Sequence, residues 1–444
     1  MNIYCSVQAP ATTSLACRRA EGIPVGGMDT SRAGLKIGVC GAGQFASSFI
    51  PLFKAHPSVA EVRLAEAFPE RRAEQAARFE IEQTYGSLDE LCESDVDAIA
   101  LFTQRWLHGP QAVQALEAGK HVYSAVPAAI TLVEVEKLVR TVERTGLVYM
   151  NGETSYYYPA VLYCRERWKK GDFGRFVHAE GCYTHDMSHG FYRAYQHSGG
   201  AEWKQTASFP PMLYPTHATS MIISVTGARF THVSCMGQVD QEDDGVFKKD
   251  VSLWGNEFSN QVALFRTSDG GTAQTTEFRR VGMPRGNGNR LSLYGTKASF
   301  EEQFFAKYWV EGEDAEKRVD LLKALTCGQV PASAVSQAER SETPEGLQEE
   351  FFAGVSSVHP VQRLPKEFVG LRNGHQGSHQ FLACDFIEAV TRNRQGFGGA
   401  LPPNNVWAAA RYCVPGIVAH ESSKRGGELL EIPDFGEPKG KVVG

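Results

Sequence analysis

Apolar and polar positions change rhythm along the chain. Leu35-Lys36-Ile37-Gly38-Val39-Cys40 is a short apolar run, followed at once by Gly41-Ala42-Gly43-Gln44-Phe45-Ala46 and a helical stretch ending at His56-Pro57. That order predicts strand, tight turn and helix. A strand near Val62 to Ala65, a helix over Glu70 to Phe79, a helix capped by Ser87 with Glu90, and a strand at Val96 to Phe102 come next. Pro110 opens a further helix that Gly119 closes, and His121 to Ser124 is the next strand. Thr131 with Glu134 forms a second capping-box signature, starting a helix to Gly146, and Leu147 to Met150 completes the alternation. Repeated strand-helix units of this kind predict a doubly wound parallel sheet.

Beyond about Pro159 the period shortens to two. Asn260 to Thr267 and Thr272 to Arg279 flank Ser268-Asp269-Gly270-Gly271, a hairpin signal. The expected fold is therefore α/β plus α+β: an N-terminal Rossmann doubly wound parallel sheet with a C-terminal domain built on an open, mainly antiparallel β-sheet. Residues 1–34 read as a flexible N-terminal extension, 35–157 as the nucleotide-binding domain, and 158–444 as a substrate and oligomerisation domain. Thr326 to His375, rich in Pro, Ser, Gln and Glu, reads as a long surface excursion. Helices are expected near Ser378 to Arg394 and Asn404 to Arg425.

Composition narrows the function. The 444 residues carry 45 Lys plus Arg against 51 Asp plus Glu, a net charge of -6, so no basic footprint for nucleic acid or an anionic membrane is present. No uncharged apolar stretch approaches the roughly 18 residues of a membrane span. The 10 cysteines lack CxxC or Cys/His metal spacing and read as reduced thiols of a cytoplasmic protein.

The glycine turn is the first chemical signal. Gly41 permits the tight turn, Gly43 lets the backbone approach a pyrophosphate, and the helix beginning near Gln44 and Phe45 offers its N-terminus to the phosphate charge. Ala46 stands where a third glycine is usual. Glu66, at the end of the second strand, is placed to accept hydrogen bonds from the adenosine ribose, which favours NAD over NADP.

Several segments together resemble the Gfo/Idh/MocA family, the glucose-fructose oxidoreductase and inositol dehydrogenase group. They are Ile37 to Gly43, Asp97 to Thr103 with His108 downstream, and Ala118 to Val122, with looser matches at Gly171 to Arg175 and Tyr294 to Ser299. The resemblance implies NAD(P) in the cleft between the domains, contacts from Thr103, His108, Val126 and Pro127, and a sugar or polyol substrate. It also implies a homo-oligomer, a dimer or tetramer. Two positions depart from the family. Ala125-Val126-Pro127 replaces the usual Glu-Lys-Pro, and Leu213 stands where an Asp usually precedes the catalytic His by four residues. Val126-Pro127-Ala128, Tyr214-Pro215-Thr216-His217 and Gly374-His375-Gln376-Gly377-Ser378 are instead similar to the NAD-dependent glycosidase branch typified by α-N-acetylgalactosaminidases.

Hydride removal from a secondary alcohol needs a base within reach of the hydroxyl. His217 is the first candidate, with Tyr214 three residues before it, and Tyr183 and His185 on one side of the preceding strand. His185-Asp186-Met187-Ser188-His189 also admits a metal reading, without a further acidic cluster to complete it. Tyr156, Tyr157 and Tyr158 could stack on sugar or simply pack, and Trp106 sits beside His108 on the nicotinamide side. The leading expectation is an NAD-dependent oxidoreductase acting on a carbohydrate or polyol. One alternative is a glycosidase that oxidises C3 transiently, eliminates, adds water and re-reduces. A second is a non-catalytic nucleotide-binding sensor or scaffold.

Overall fold

Buried apolar residues on both faces are what a central parallel strand requires. β1 (Leu35–Cys40) meets that condition and lies in the middle of a six-stranded sheet. The computed structural model describes residues 34–283, 288–312, 317–331, 351–397 and 401–438. After β1 come α1 (Ala46–Ala55), β2 (Val59–Ala65), α2 (Pro69–Phe79), β3 (Thr84–Tyr85) and α3 (Leu88–Glu93). β4 (Ala98–Leu101), α4 (His108–Glu117), β5 (His121–Ser124), α5 (Leu132–Thr145) and β6 (Tyr149–Asn151) complete the unit. The order β3-β2-β1-β4-β5-β6, parallel throughout, brings the carboxyl ends of all six strands to one edge. Both capping signals form: Glu90 N–H donates to Ser87 Oγ at 3.2 Å, and Thr131 and Glu134 close a reciprocal box.

The chain then enters α6 (Pro159–Lys169), β7 (Phe176–Thr184), α7 (Phe191–Gly199), α8 (Trp203–Ala207) and α9 (Thr216–Thr226). β8 (Phe230–Val239), β9 (Phe258–Thr267), β10 (Thr272–Phe278), β11 (Asn289–Gly295), β12 (Ala298–Glu302), β13 (Lys307–Glu311) and β14 (Val319–Asp320) follow. A two-stranded ribbon of β15 (Gly328–Pro331) and β16 (Phe351–Val355) precedes α10 (Ser378–Arg394), α11 (Val406–Lys424) and β17 (Leu430–Glu431). The second sheet runs β14-β13-β12-β11-β7-β10-β9-β8-β17, antiparallel except where β10 lies parallel to β7. The expected Rossmann unit and open, mainly antiparallel sheet are both present. The β9–β10 hairpin turns at Gly270, whose φ is 88°.

One close approach sets the site. A Cβ on Gly181 would lie 2.4 Å from the Ala218 carbonyl oxygen, so glycine there lets α9 seat directly on β7. His217 on the helix and Tyr183 on the strand are thereby neighbours.

One expectation needs correction. The excursion from Thr326 to His375 does not run over the surface throughout. Phe352, Val355, Val361, Leu364 and Phe368 are buried in one core with Ile37, Phe49 and Phe53 of the first sheet and Phe381 of α10. Its periodicity was weak because a five-residue strand is followed by short turns, so the apolar residues follow no fixed period. Consequently the later chain also covers the first sheet, and packing is continuous across Tyr157. Residues 332–350, like the proposed N-terminal extension up to residue 33, lie outside the described residues.

Candidate functional site

The carboxyl edge of the parallel sheet carries the glycine turn. Gly41 has φ 93°, and a Cβ there would meet the Phe102 carbonyl oxygen at 2.8 Å, so the turn needs glycine for conformation and for space. Gly43 is different: a Cβ there would meet nothing within 4 Å, leaving its backbone open to an approaching group. α1 starts at Ala46, two residues later than Gln44, with Phe45 as its N-cap and no side chain satisfying its first amides. Gln44 is exposed. The Phe45 ring is spent on packing, with centroids 5.7 Å from Phe102 and 5.3 Å from His375. Glu66 is buried and braces the turn: Ala42 N–H donates to Oε2 at 2.9 Å and Phe68 N–H to Oε1 at 3.1 Å. An open approach at Gly43, uncapped amides and a carboxylate at the end of β2 are what a dinucleotide needs, so these residues fit the cofactor.

His108 occupies a tighter place than expected. Its ring nitrogens lie 2.9 Å from the Pro127 carbonyl and 3.1 Å from the Thr103 carbonyl, and the residue is 1% exposed. Burial lowers its pKa to about 4, so the ring is neutral and its single N–H donates to one of these two carbonyls, which hold it between the ends of β4 and β5 with no free edge for nicotinamide. Thr103 donates its hydroxyl to Gln111. Val126 and Pro127 line the same edge as buried apolar residues.

Across the cleft, α9 and β7 gather the expected catalytic residues. Ring centroids separate Tyr183 and His217 by 4.8 Å, Tyr214 and His217 by 5.3 Å, and Tyr183 and Tyr214 by 5.7 Å. Tyr214 precedes α9 in the turn after Pro211–Leu213 rather than lying within the helix, and reaches His217 from there. His185 joins at the margin, 6.1 Å from Tyr183 and stacked on Phe191 at 3.9 Å. Burial, with Arg279 and Arg105 nearby, lowers the His185 pKa to about 4. Burial also raises Tyr183 to about 12, against the pull of Arg279 and Arg105, and pushes Tyr214 further up. Both are neutral phenols, hydrogen-bond donors for a hydroxylated ligand.

The residue that sequence reasoning missed is Glu153. His217 Nδ1 donates to Glu153 Oε1 at 2.7 Å, with the carboxylate fully buried and the histidine 4% exposed. Burial raises the Glu153 pKa, but His217 charge and hydrogen bonds from His217, Thr216 and the Ser155 amide outweigh it and hold the carboxyl below the usual range. With Nδ1 protonated toward Glu153, Nε2 is the basic nitrogen, and it makes no hydrogen bond within the described residues. A signal was available: Gly152-Glu153 follows β6 directly, at the strand ends where open α/β sheets carry their sites. Arg105 and Arg279 were also missed; their guanidinium carbons lie 4.4 Å from the Tyr214 ring centre and 4.8 Å from that of Tyr183.

Other sequence candidates have local duties. Asp186 accepts from Ser188 N–H at 2.9 Å and Val281 N–H at 2.8 Å, capping a turn in place of any metal duty. Tyr157 donates to Asp385 and stacks on Phe381, Tyr158 bonds Thr154 at 3.1 Å, and Tyr156 lies beneath Arg165, so all three pack. Trp106 packs against Trp254 at 5.2 Å.

Residues 35–153 match the Gfo/Idh/MocA model, described as an oxidoreductase family with an NAD-binding Rossmann fold. They form a Gfo/Idh/MocA domain. A glycosyl hydrolase family 109 protein of Porphyromonas gingivalis is 25% identical over 90% of this chain and 84% of its own. An alpha-N-acetylgalactosaminidase of Bacteroides fragilis is 36% identical over 140 residues, 30% of this chain and 33% of that one. Among solved structures, levoglucosan dehydrogenase with NADH and levoglucosan superposes with a TM-score of 0.67 at 18% identity, covering 90% of this chain and 100% of that chain. An inositol dehydrogenase homologue of Azotobacter vinelandii gives 0.65 at 16% identity, covering 90% and 97%. The chain is therefore an enzyme whose Gfo/Idh/MocA domain binds NAD, and the reading as a non-catalytic sensor is set aside. No helix among the described residues is long and apolar enough to cross a membrane.

Proposed function

We propose that the protein is an NAD-dependent oxidoreductase acting on a hydroxyl of a sugar or polyol, with His217 as general base. The observation that carries this reading is the buried hydrogen bond from His217 Nδ1 to Glu153, which orients the ring and leaves Nε2 for substrate. His217 Nε2 takes the hydroxyl proton, and Glu153 offsets the charge the imidazole gains. Tyr183 and Tyr214 donate to neighbouring hydroxyls and fix the ring that is presented. Gly41 and Gly43 would hold the pyrophosphate at the amino end of α1, and the Glu66 carboxylate would accept from the ribose. NAD, when bound, supplies the hydride acceptor. The buried Val126 and Leu213, where the family usually has Lys and Asp, leave the charged chemistry to Glu153 and His217.

A second reading has its own support. Relatives named as family 109 glycosyl hydrolases and an alpha-N-acetylgalactosaminidase favour a redox-neutral glycosidase. Such an enzyme needs a group for the C2 proton, and Tyr183, 4.8 Å from the His217 ring centre, or His185 beside it, is placed to serve. Assaying sugars and aryl glycosides separates the two. Net NADH formation supports oxidation; aglycone release with solvent deuterium at C2 and no net NADH supports hydrolysis; neither, from folded and NAD-loaded protein, refutes both.

Cytoplasmic localisation and homo-oligomerisation belong to the same proposal. The described cysteines are all unpaired, as a reducing compartment favours. Met236, Val262 and Leu264 stand on the outer face of the second sheet, the face by which copies would associate; light scattering of purified protein tests it.

A further inference from the structure

Arg105 lacks a counter-charge, unlike several other deeply set arginines. Arg63, Arg279, Arg280 and Arg363 each meet a carboxylate, at 2.8 Å from Glu61, 3.0 Å from Glu277, 2.9 Å from Asp244 and 2.5 Å from Asp385. Arg105 leaves β4 in the short turn Arg105–Leu107, half-buried, and donates from Nη1 to the Tyr195 hydroxyl at 2.5 Å. Its guanidinium carbon lies 4.4 Å from the Tyr214 ring centre, 5.1 Å from Phe191 and 5.8 Å from Phe209. No carboxylate among the described residues stands within ion-pair distance, and the groups that favour its charge are Tyr195, Tyr214 and Tyr183.

A guanidinium carries five N–H donors in a planar fork, and one is used here. Burying such a cation among rings costs solvation that cation–π contact only partly offsets, so the site favours an anion that completes the fork. The position is also functional. Arg105 lies against Tyr214, whose ring centre is 5.3 Å from that of His217, so the cation is within about 10 Å of the base. A single hexuronic acid, hydrogen-bonded at both ends, spans that gap. Arg279 adds a second guanidinium beside Tyr183, already neutralised in part by Glu277, which leaves Arg105 as the unmatched charge.

We propose that the carbohydrate is anionic, a uronic acid or uronic-acid glycoside whose carboxylate binds in the fork of Arg105 while a ring hydroxyl faces His217 Nε2. The inference rests on the carbohydrate reading given under the proposed function, and narrows it. A planar bidentate donor matched to a carboxylate is the recognition that guanidinium performs best.

The test is calorimetric binding to full-length, NAD-loaded protein of D-glucuronate and D-galacturonate against D-glucose and D-galactose, with the wild type, Arg105→Gln and Arg105→Lys. At least one acid should bind about tenfold or more tightly than its neutral partner. Arg105→Gln should abolish that preference with NAD affinity and melting temperature retained, and Arg105→Lys should keep part of it. Neutral sugars binding as tightly as the acids would overturn the inference and leave the carbohydrate reading standing. A preference that survives Arg105→Gln, or loss of NAD affinity in that variant, would also overturn it, the second by assigning the cation to the cofactor. If no sugar of either kind binds, the carbohydrate reading falls and the inference with it.

Discussion

Replacing Glu153 with glutamine removes one charge from beneath His217 and keeps the shape of the side chain. Glu153 Oε1 lies 2.7 Å from His217 Nδ1, and the two residues are 0% and 4% exposed, so water screens the contact little. A charge-assisted hydrogen bond of this kind contributes about 1.5–3 kcal/mol. The imidazolium formed when His217 takes a proton also loses its counter-charge, worth up to about 4 kcal/mol at an effective dielectric of 20. Glutamine can further donate its amide to Nδ1, which puts the ring proton on Nε2 and removes the base. Since these terms overlap, the net loss is about 3–5 kcal/mol, a fall of roughly 10²- to 10⁴-fold in the rate of hydroxyl oxidation. The assay is single-turnover nicotinamide reduction with the best sugar substrate, alongside NAD affinity. The variant should bind NAD as the wild type does and lose kcat far more than it raises KM. A Glu153→Gln enzyme within threefold of the wild-type rate would refute the role given to this pair.

The glycine turn predicts a contrast. Gly41→Ala should cost about 1–3 kcal/mol of stability in denaturant melts, because φ 93° and the Phe102 carbonyl both oppose a Cβ, whereas Gly43→Ala should melt normally and weaken NAD binding in titration. Glu66→Ala frees the Ala42 amide and removes the ribose acceptor, so the ratio of NAD to NADP affinity should fall by about tenfold. His108 stays neutral in the fold with its pKa lowered from 6.5 to about 4, so the native state binds fewer protons than the unfolded chain between those values. Its stabilising effect is complete above about pH 6.5 and is lost as pH falls toward 4, about 3 kcal/mol for this residue. Urea melts across that range should show the decline, and His108→Gln should make it shallower, the other buried histidines with lowered pKa, such as His56, His121 and His359, keeping the rest.

How much of this was legible depends on whether the determinant is local. Strand, turn and helix at β1, Gly41 and α1, the Ser87 and Thr131 caps, and the β9–β10 hairpin are each decided by residues within a few positions of one another, so the pattern reveals them. Tyr183, Tyr214 and His217 were legible as residues, because a strand and a helix start were recognisable there. The Glu153 contact was not: 64 residues separate it from His217, and the approach depends on Gly181 admitting α9 onto β7. Likewise, His108 reads as a loop histidine in sequence, and only the carbonyls of Thr103 and Pro127 converging on it reveal a structural tie. The 351–371 segment was misread because the short strand that holds Phe352 gives way at once to the turns that hold Phe368, so its buried apolar residues keep no single period.

The central claim is that His217, held by Glu153, takes a proton from a carbohydrate hydroxyl as NAD accepts hydride. Its most direct test uses NAD-loaded wild type and His217→Ala in D₂O with sugars and aryl glycosides, neutral and uronic, following nicotinamide absorbance and the deuterium content of products. The wild type should reduce nicotinamide with at least one substrate, in net form or with deuterated hydrolysis product, and His217→Ala should do neither while still binding NAD. Full activity in His217→Ala, or no reaction with any carbohydrate in the folded, NAD-bound wild type, would contradict the account.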